Sequence, residues 1–233
     1  MPSAGLIFLG FIYCALEPFV RRWWSEYLIS WSRLLTGDFR DPMVGRDILI
    51  GGAATCIYHL ITVVIRLVDE FGLGEKRQLQ TNIRWEVADS FLDGMAGLSR
   101  VLVDAVGVPL NFLGIFLIVY FFTRNKKATL ILSGILLTVF LAIGSGNTIV
   151  WVNDAIAVSA LMFVFNRFGI VALMSAYFFF VSIVVLPLSF DPSNIVFPQT
   201  VATLVILFAI MAYAAYISIG GAKMFGGKSF WGD

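Results

Sequence analysis

Few side chains in this 233-residue sequence could do chemistry, and those few are scattered. His59 sits in an apolar run with Cys56 one helical turn earlier, a pair that could begin a metal site or offer an axial ligand to a tetrapyrrole. Zinc takes three or four ligands, and a bis-histidine haem needs a second imidazole. His59 is the only histidine in the chain, so an interhelical hydrogen bond is the expected role, with no metal and no cofactor. Asn153 and Asp154 follow Trp151 in another apolar run. An ionisable group inside a bilayer costs about 3 kcal/mol unless it is paired, which makes it a functional candidate by default. A proton or ion path would need facing carboxylates, and Glu17 is the only other acid within an apolar run. A structural pairing of Asp154, with Arg66 as the candidate partner, is the expectation.

The run Asp38, Arg40, Asp41, Arg46 and Asp47 alternates in sign around Pro42 and Gly45. Such a loop either docks a partner, since mixed charge confers specificity more than affinity, or neutralises itself and ties one helix to the next. Gly220, Gly221, Gly226 and Gly227 are too loosely spaced for a phosphate-binding loop. Catalysis needs a nucleophile or acid placed against a positioned base. Nothing here supplies that, so no enzymatic activity is expected.

The elements that must position these residues are set by hydropathy. Hydrophobic residues make up 59% of the chain and charged residues 13%. Apolar runs fall at about 2–20, 48–68, 105–123, 128–145, 148–166, 168–188 and 199–219. A bilayer-crossing helix needs about 20 apolar residues, and a helix satisfies its own backbone polar groups in lipid. The expected fold is therefore all-α: a polytopic integral membrane helical bundle, one domain over 1–233, with about seven spans. Cys14 and Cys56 lie inside apolar runs and are expected to be buried free thiols. Residues 2–20 lack a basic leading region and a cleavage site, so they read as a retained span. There is no internal repeat of the kind that marks inverted-repeat transporters, and a net charge of +1 gives no reason to expect nucleic-acid binding.

Two further stretches look amphipathic. In 23–35, Trp24, Leu28, Trp31 and Leu35 share a helical face, and tryptophan prefers the headgroup boundary. Trp24 and Trp31 are thus expected as interfacial anchors of a helix lying on the membrane. In 84–104, Ala88, Phe91, Leu92, Met95, Leu98 and Leu102 form a second stripe beside acidic residues, expected as a second interfacial helix on the external side that leads into the third span. Orientation follows from basic residues. Arg21, Arg22, Arg33, Arg40, Arg46, Arg124, Lys126, Lys127, Arg167, Lys223 and Lys228 fall on one side; Lys76, Arg77, Arg84 and Arg100 fall on the other. The positive-inside rule then puts the C-terminus in the cytoplasm and residue 1 outside.

The stretch from Ile29 to Asp47, with Ala15 to Arg22 before it, resembles the membrane domain that follows the kinase domain in a family of bacterial serine/threonine protein kinases. Leu186 to Ser193 and Ser218 to Gly227 are similar to the last external turn and the C-terminal end of those proteins. The resemblance implies membership in that membrane module and a location in the bacterial inner membrane. It does not carry kinase activity, because the chain holds no Gly-rich nucleotide loop, no His-Arg-Asp and no Asp-Phe-Gly. The expected function is a non-catalytic module that anchors or scaffolds a larger membrane assembly or a signalling kinase. The expected partners are the lipid bilayer and either other membrane-protein subunits or a kinase domain. Two alternatives stand beside it: an accessory subunit of an energy-transducing or photosynthetic membrane complex, and a small-solute or ion transporter.

Overall fold

A computed structural model describes residues 25–72, 90–143, 148–186 and 188–219. These residues are helical, with no strand among them. After a 3-10 turn at Ser25–Leu28 come seven α-helices: α1 Ile29–Leu35, α2 Pro42–Gly72, α3 Phe91–Thr123, α4 Lys126–Ala142, α5 Thr148–Phe168, α6 Ile170–Val185 and α7 Phe197–Ser218. Three of them, over Pro42–Ile65, Phe91–Thr123 and Phe197–Ser218, are long and apolar enough to cross a membrane, with mean hydropathies of 2.1, 2.2 and 2.2. The apolar run at 2–20 lies outside the described residues, as do Cys14 and Trp24.

Local chemistry sets the helix ends. Asp41 precedes Pro42, and its Oδ1 accepts the Met43 N–H at 2.8 Å, so a carboxylate caps α2 while proline fills its first position. Ser90 caps α3 by accepting the Asp93 N–H at 3.2 Å. Arg124 takes a left-handed conformation (φ 50°) that ends α3, and Asn125 at once caps α4, giving a two-residue hairpin. Gly169 (φ +90°) separates α5 from α6; a Cβ there would lie 2.8 Å from the Tyr27 carbonyl oxygen.

The centre of the bundle is α6. It packs against α2, α3 and α5, with α7 against α2 and α3, and α4 against α3 and α5. A helix apolar all round must be enclosed, and Ile170 to Ala176 are all buried. One core cluster joins Leu110, Leu113 and Phe116 of α3 to Met162 and Phe165 of α5 and Leu173 of α6. A second joins Leu98, Val101 and Ala105 of α3 to Phe178 and Phe179 of α6 and Leu207 of α7. The outer faces carry exposed Leu60, Val64, Phe122, Ile131, Phe140 and Phe208. Water penalises apolar patches of that extent; hydrocarbon does not.

Two expectations need correction. The stripe over 84–104 is not a separate surface helix where it is described. Residues 91–104 run without a break into 105–123 as one 33-residue helix, with Pro109 buried inside it. The reason is packing: Leu98 and Val101 bury in the second core cluster instead of facing an interface. Cys56 is exposed, not buried, and lies beside exposed Ile57 and Leu60 on the outer face of α2.

Contacts between helices fix their antiparallel order. A Cβ at Gly45 would meet the Ala214 carbonyl at 2.6 Å, and the Thr123 and Thr129 hydroxyls are 2.7 Å apart. At the opposite end Gly94 approaches Gln199. The end holding α1 therefore also holds the 124–127 hairpin and the α5–α6 junction, so Arg40, Arg46, Arg124, Lys126, Lys127 and Arg167 gather there.

Candidate functional site

The best-developed polar site is the junction of α1 and α2. Asp47 is fully buried in the first turns of α2. Its Oδ2 accepts the Ser30 hydroxyl of α1 at 2.5 Å, and its Oδ1 accepts Arg46 Nε and Nη2 at 3.0 and 2.8 Å. Burying a carboxylate costs several kcal/mol unless it is paired and hydrogen-bonded, and here both oxygens are satisfied. Arg46 is half exposed and turns the positive charge outward. One loop residue earlier in the chain does similar work: Asp41 pairs with Arg33 of α1 while capping α2. The junction extends to α6, where Ser175 donates to the Asp47 carbonyl at 3.3 Å.

Of the five charged loop residues singled out in the sequence, the structure brings Asp41, Arg46 and Asp47 into this clamp. Asp38 and Arg40 are exposed, and neither takes part in an ion pair among the described residues. Trp31 is half-buried and packs against the first core cluster. Ser30 and Arg33, which the charge pattern alone does not single out, are the α1 half of the clamp. Their spacing of three places both on the α1 face toward α2.

The polar residues inside the bundle are spread along it. His59, half-buried in α2, stacks on Phe180 of α6 with centroids 5.8 Å apart and planes at 14°, and meets Tyr58 edge-on at 5.4 Å. Asn153 of α5 accepts the Thr62 hydroxyl of α2 at 3.4 Å. Asp154 is partly buried in α5, and the Arg66 side chain lies outside the described residues. The α2–α6 seam was not legible as a site. There Thr55 Oγ1 donates to the Ala176 carbonyl at 2.9 Å, and Gly51 lets the helices touch: a Cβ on it would lie 2.6 Å from Ala176 N and 2.7 Å from the Ala172 carbonyl. The available signal was small residues one turn apart, Gly51 and Thr55 facing Ala172 and Ala176. Ser182, Gln199 and Thr203 also bury polar atoms that lack a hydrogen-bond partner among the described residues.

Chemically this arrangement can join helices. No group of three or more His, Cys, Asp or Glu that could hold a metal occurs among the described residues. A void of about 30 Å³, the size of one water, lies between α2, α5 and α6 beside Thr55, Tyr58 and Phe180. A wider groove of about 520 Å³ opens between α4 and α5. Neither is lined by His59 or Asp154. No family model, curated protein or solved structure matches the chain.

Proposed function

We propose that this protein is a non-catalytic, multi-spanning membrane module that anchors or scaffolds a larger membrane assembly or a signalling kinase. The observation that carries the reading is the use made of polar groups. Asp47, Thr55, Thr62, Asn153 and Ser175 take part in bonds between helices, and His59 and Asp154 line neither the void beside Thr55 nor the α4–α5 groove. Rigid joints and apolar outer faces serve assembly; catalysis and transport both need polar groups gathered around an accessible space.

In this reading the shorter helices α4, α5 and α6 also cross the bilayer, as antiparallel neighbours of the three long ones. With residues 2–20 they make about seven spans in a bacterial cytoplasmic membrane. Residues 23–35 lie at the cytoplasmic surface with Trp24 and Trp31 at the headgroup boundary. The C-terminus is cytoplasmic, because the basic end of the bundle belongs inside. The likeness of residues 29–47 to the membrane domain of bacterial serine/threonine kinases supports the signalling form of the proposal. The deciding experiment is gentle extraction of the native protein followed by sizing and identification of what accompanies it. A stable complex with other membrane subunits or a kinase polypeptide is expected. A lone monomer that moves a solute across liposomes, or phosphorylates a substrate, overturns the proposal.

A further inference from the structure

We propose that the groove between α4 and α5 binds one anionic phospholipid, with an acyl chain along the groove and the headgroup phosphate held by Lys127 and Arg167. The groove is about 520 Å³, within the usual range for small-molecule sites of about 300–1,000 Å³. Its walls are Leu130, Ile131 and Ile135 of α4 and Val158, Met162 and Phe163 of α5. Gly134 supplies the room: a Cβ placed there would meet only Met162 Cγ, at 3.9 Å. Along α4 the lining stretches from Leu130 to Val139, about 14 Å at 1.5 Å per residue, an elongated apolar slot suited to a chain.

Charge selects the occupant. Residues three and four apart share a helix face. Lys127 lies three residues before Leu130, and Arg167 lies four residues after Phe163. Each therefore extends one wall of the groove by a turn, at the same end of the bundle. Both are exposed, and neither has an ion-pair partner among the described residues. Asn166 lines the groove at that mouth. Its Oδ1 is taken by the Tyr27 hydroxyl at 3.0 Å, which leaves the amide NH2 as the group that can donate to a phosphate. No acid lines the groove. A slot that is mainly apolar, with Thr138 and Ser159 as its hydroxyl lining, and cationic at one mouth complements a lipid with one negative headgroup; basic pockets between membrane helices at the cytoplasmic side bind such headgroups. A zwitterionic lipid would gain the slot but not the charge. A second copy of the chain would bring its own Lys127 and Arg167 to the same face.

The test uses the full chain in mild detergent, titrated with phosphatidylglycerol and with phosphatidylcholine of equal chain length and read by native mass spectrometry. The first phosphatidylglycerol is expected to bind about twentyfold more tightly than phosphatidylcholine, from two basic groups near one negative charge. The surface pair K127Q/R167Q should bring that preference to within about threefold while the protein stays folded. Gly134→Phe, which fills the slot, should weaken both lipids together. Equal affinity of the wild type for the two lipids, or a preference that survives in K127Q/R167Q, overturns the proposal. So does a Ser159→Cys variant that cross-links to itself in membranes, since a second copy would then fill the groove. The proposal rests on the bilayer-spanning reading, and vesicle flotation separates the two: a chain that floats with vesicles but shows no headgroup preference keeps the membrane assignment and loses this one.

Discussion

The α2–α6 seam and the α4–α5 groove are built from the same kind of residue and come out opposite. Each has a glycine facing a neighbouring helix. At Gly51 a Cβ would collide with the Ser175 side chain and the backbone of Ala172 and Ala176; at Gly134 it would touch one methionine carbon at 3.9 Å. The seam is closed by Thr55 bonding across to Ala176 and by Ser175 bonding to Asp47. In the groove, the Thr138 hydroxyl turns back to the Gly134 carbonyl of its own helix at 2.9 Å. Small residues therefore permit close approach but do not cause it. Within lipid, where apolar surface gains little by leaving hydrocarbon, packing and interhelical hydrogen bonds decide which faces meet.

The largest effect that would sharpen this contrast is a size change at the two glycines. Gly51→Leu should destabilise the protein by about 3 kcal/mol or fail to fold, because backbone on α6 cannot yield as a side-chain tip can. Gly134→Ala should be neutral or stabilise by about 0.5–1 kcal/mol, the usual gain on removing a glycine from a helix interior. Unfolding titrations in detergent micelles read both. Equal costs at the two positions would erase the distinction.

Next in size is the clamp that orients α1. Ser30→Ala leaves a buried carboxylate oxygen of Asp47 without its donor, for an expected loss of about 1–3 kcal/mol. Protease sensitivity of the α1–α2 loop should rise with it. Unchanged protection of that loop would mean α1 is held by Trp31 packing alone.

Smaller again is the hydrogen bond across the seam. Thr55→Val removes the bond to Ala176 but keeps shape, and should cost about 0.6 kcal/mol, the average for such bonds between membrane helices. A cost as large as that of Gly51→Leu would shift the weight of the seam from close approach to hydrogen bonding.

The smallest effect lies at the α6–α7 turn, far from both regions. The Ser193 hydroxyl and backbone N–H donate to Asp191 and hold its carboxyl below the ordinary carboxylate range. The folded pKa is the depressed one. The contribution is therefore complete above the ordinary carboxylate pKa and is lost as pH falls through the folded value. Asp191→Asn should lower stability slightly at neutral pH and flatten that acid limb, so that the two proteins converge below the folded value. A pH series of thermal unfolding, run on both proteins, checks the sign.

The helical class was legible because periodicity and run length survive any packing, and α4, α5, α6 and α7 fall close to the apolar runs at 128–145, 148–166, 168–188 and 199–219. What misled was amphipathicity in 84–104. An apolar stripe beside acids suits an interface or a protein core equally well, and only the presence of Phe178, Phe179 and Leu207 opposite Leu98 and Val101 decides. Cys56 misled for the related reason that a residue inside an apolar run has no stated face. The clamp was half legible. The alternating charges from Asp38 to Asp47 pointed to self-neutralisation, but Ser30 and Arg33 gain meaning only once α1 folds back on α2. His59 and Asn153 stand out as polar groups in apolar runs; the small residues of the seam carry more of the architecture but are not distinctive in sequence, since glycine and threonine are common in any helix of this class.

The most direct measurement is sided labelling of single cysteines in intact cells, in a background where Cys14 and Cys56 are alanine. Lys127→Cys reports the basic end and Ser193→Cys the opposite one. A membrane-impermeant thiol reagent is expected to label position 193 in intact spheroplasts and position 127 only after lysis. Labelling of position 127 from outside, or of both positions from the same side, would contradict a bundle that spans the bilayer with its basic end in the cytoplasm.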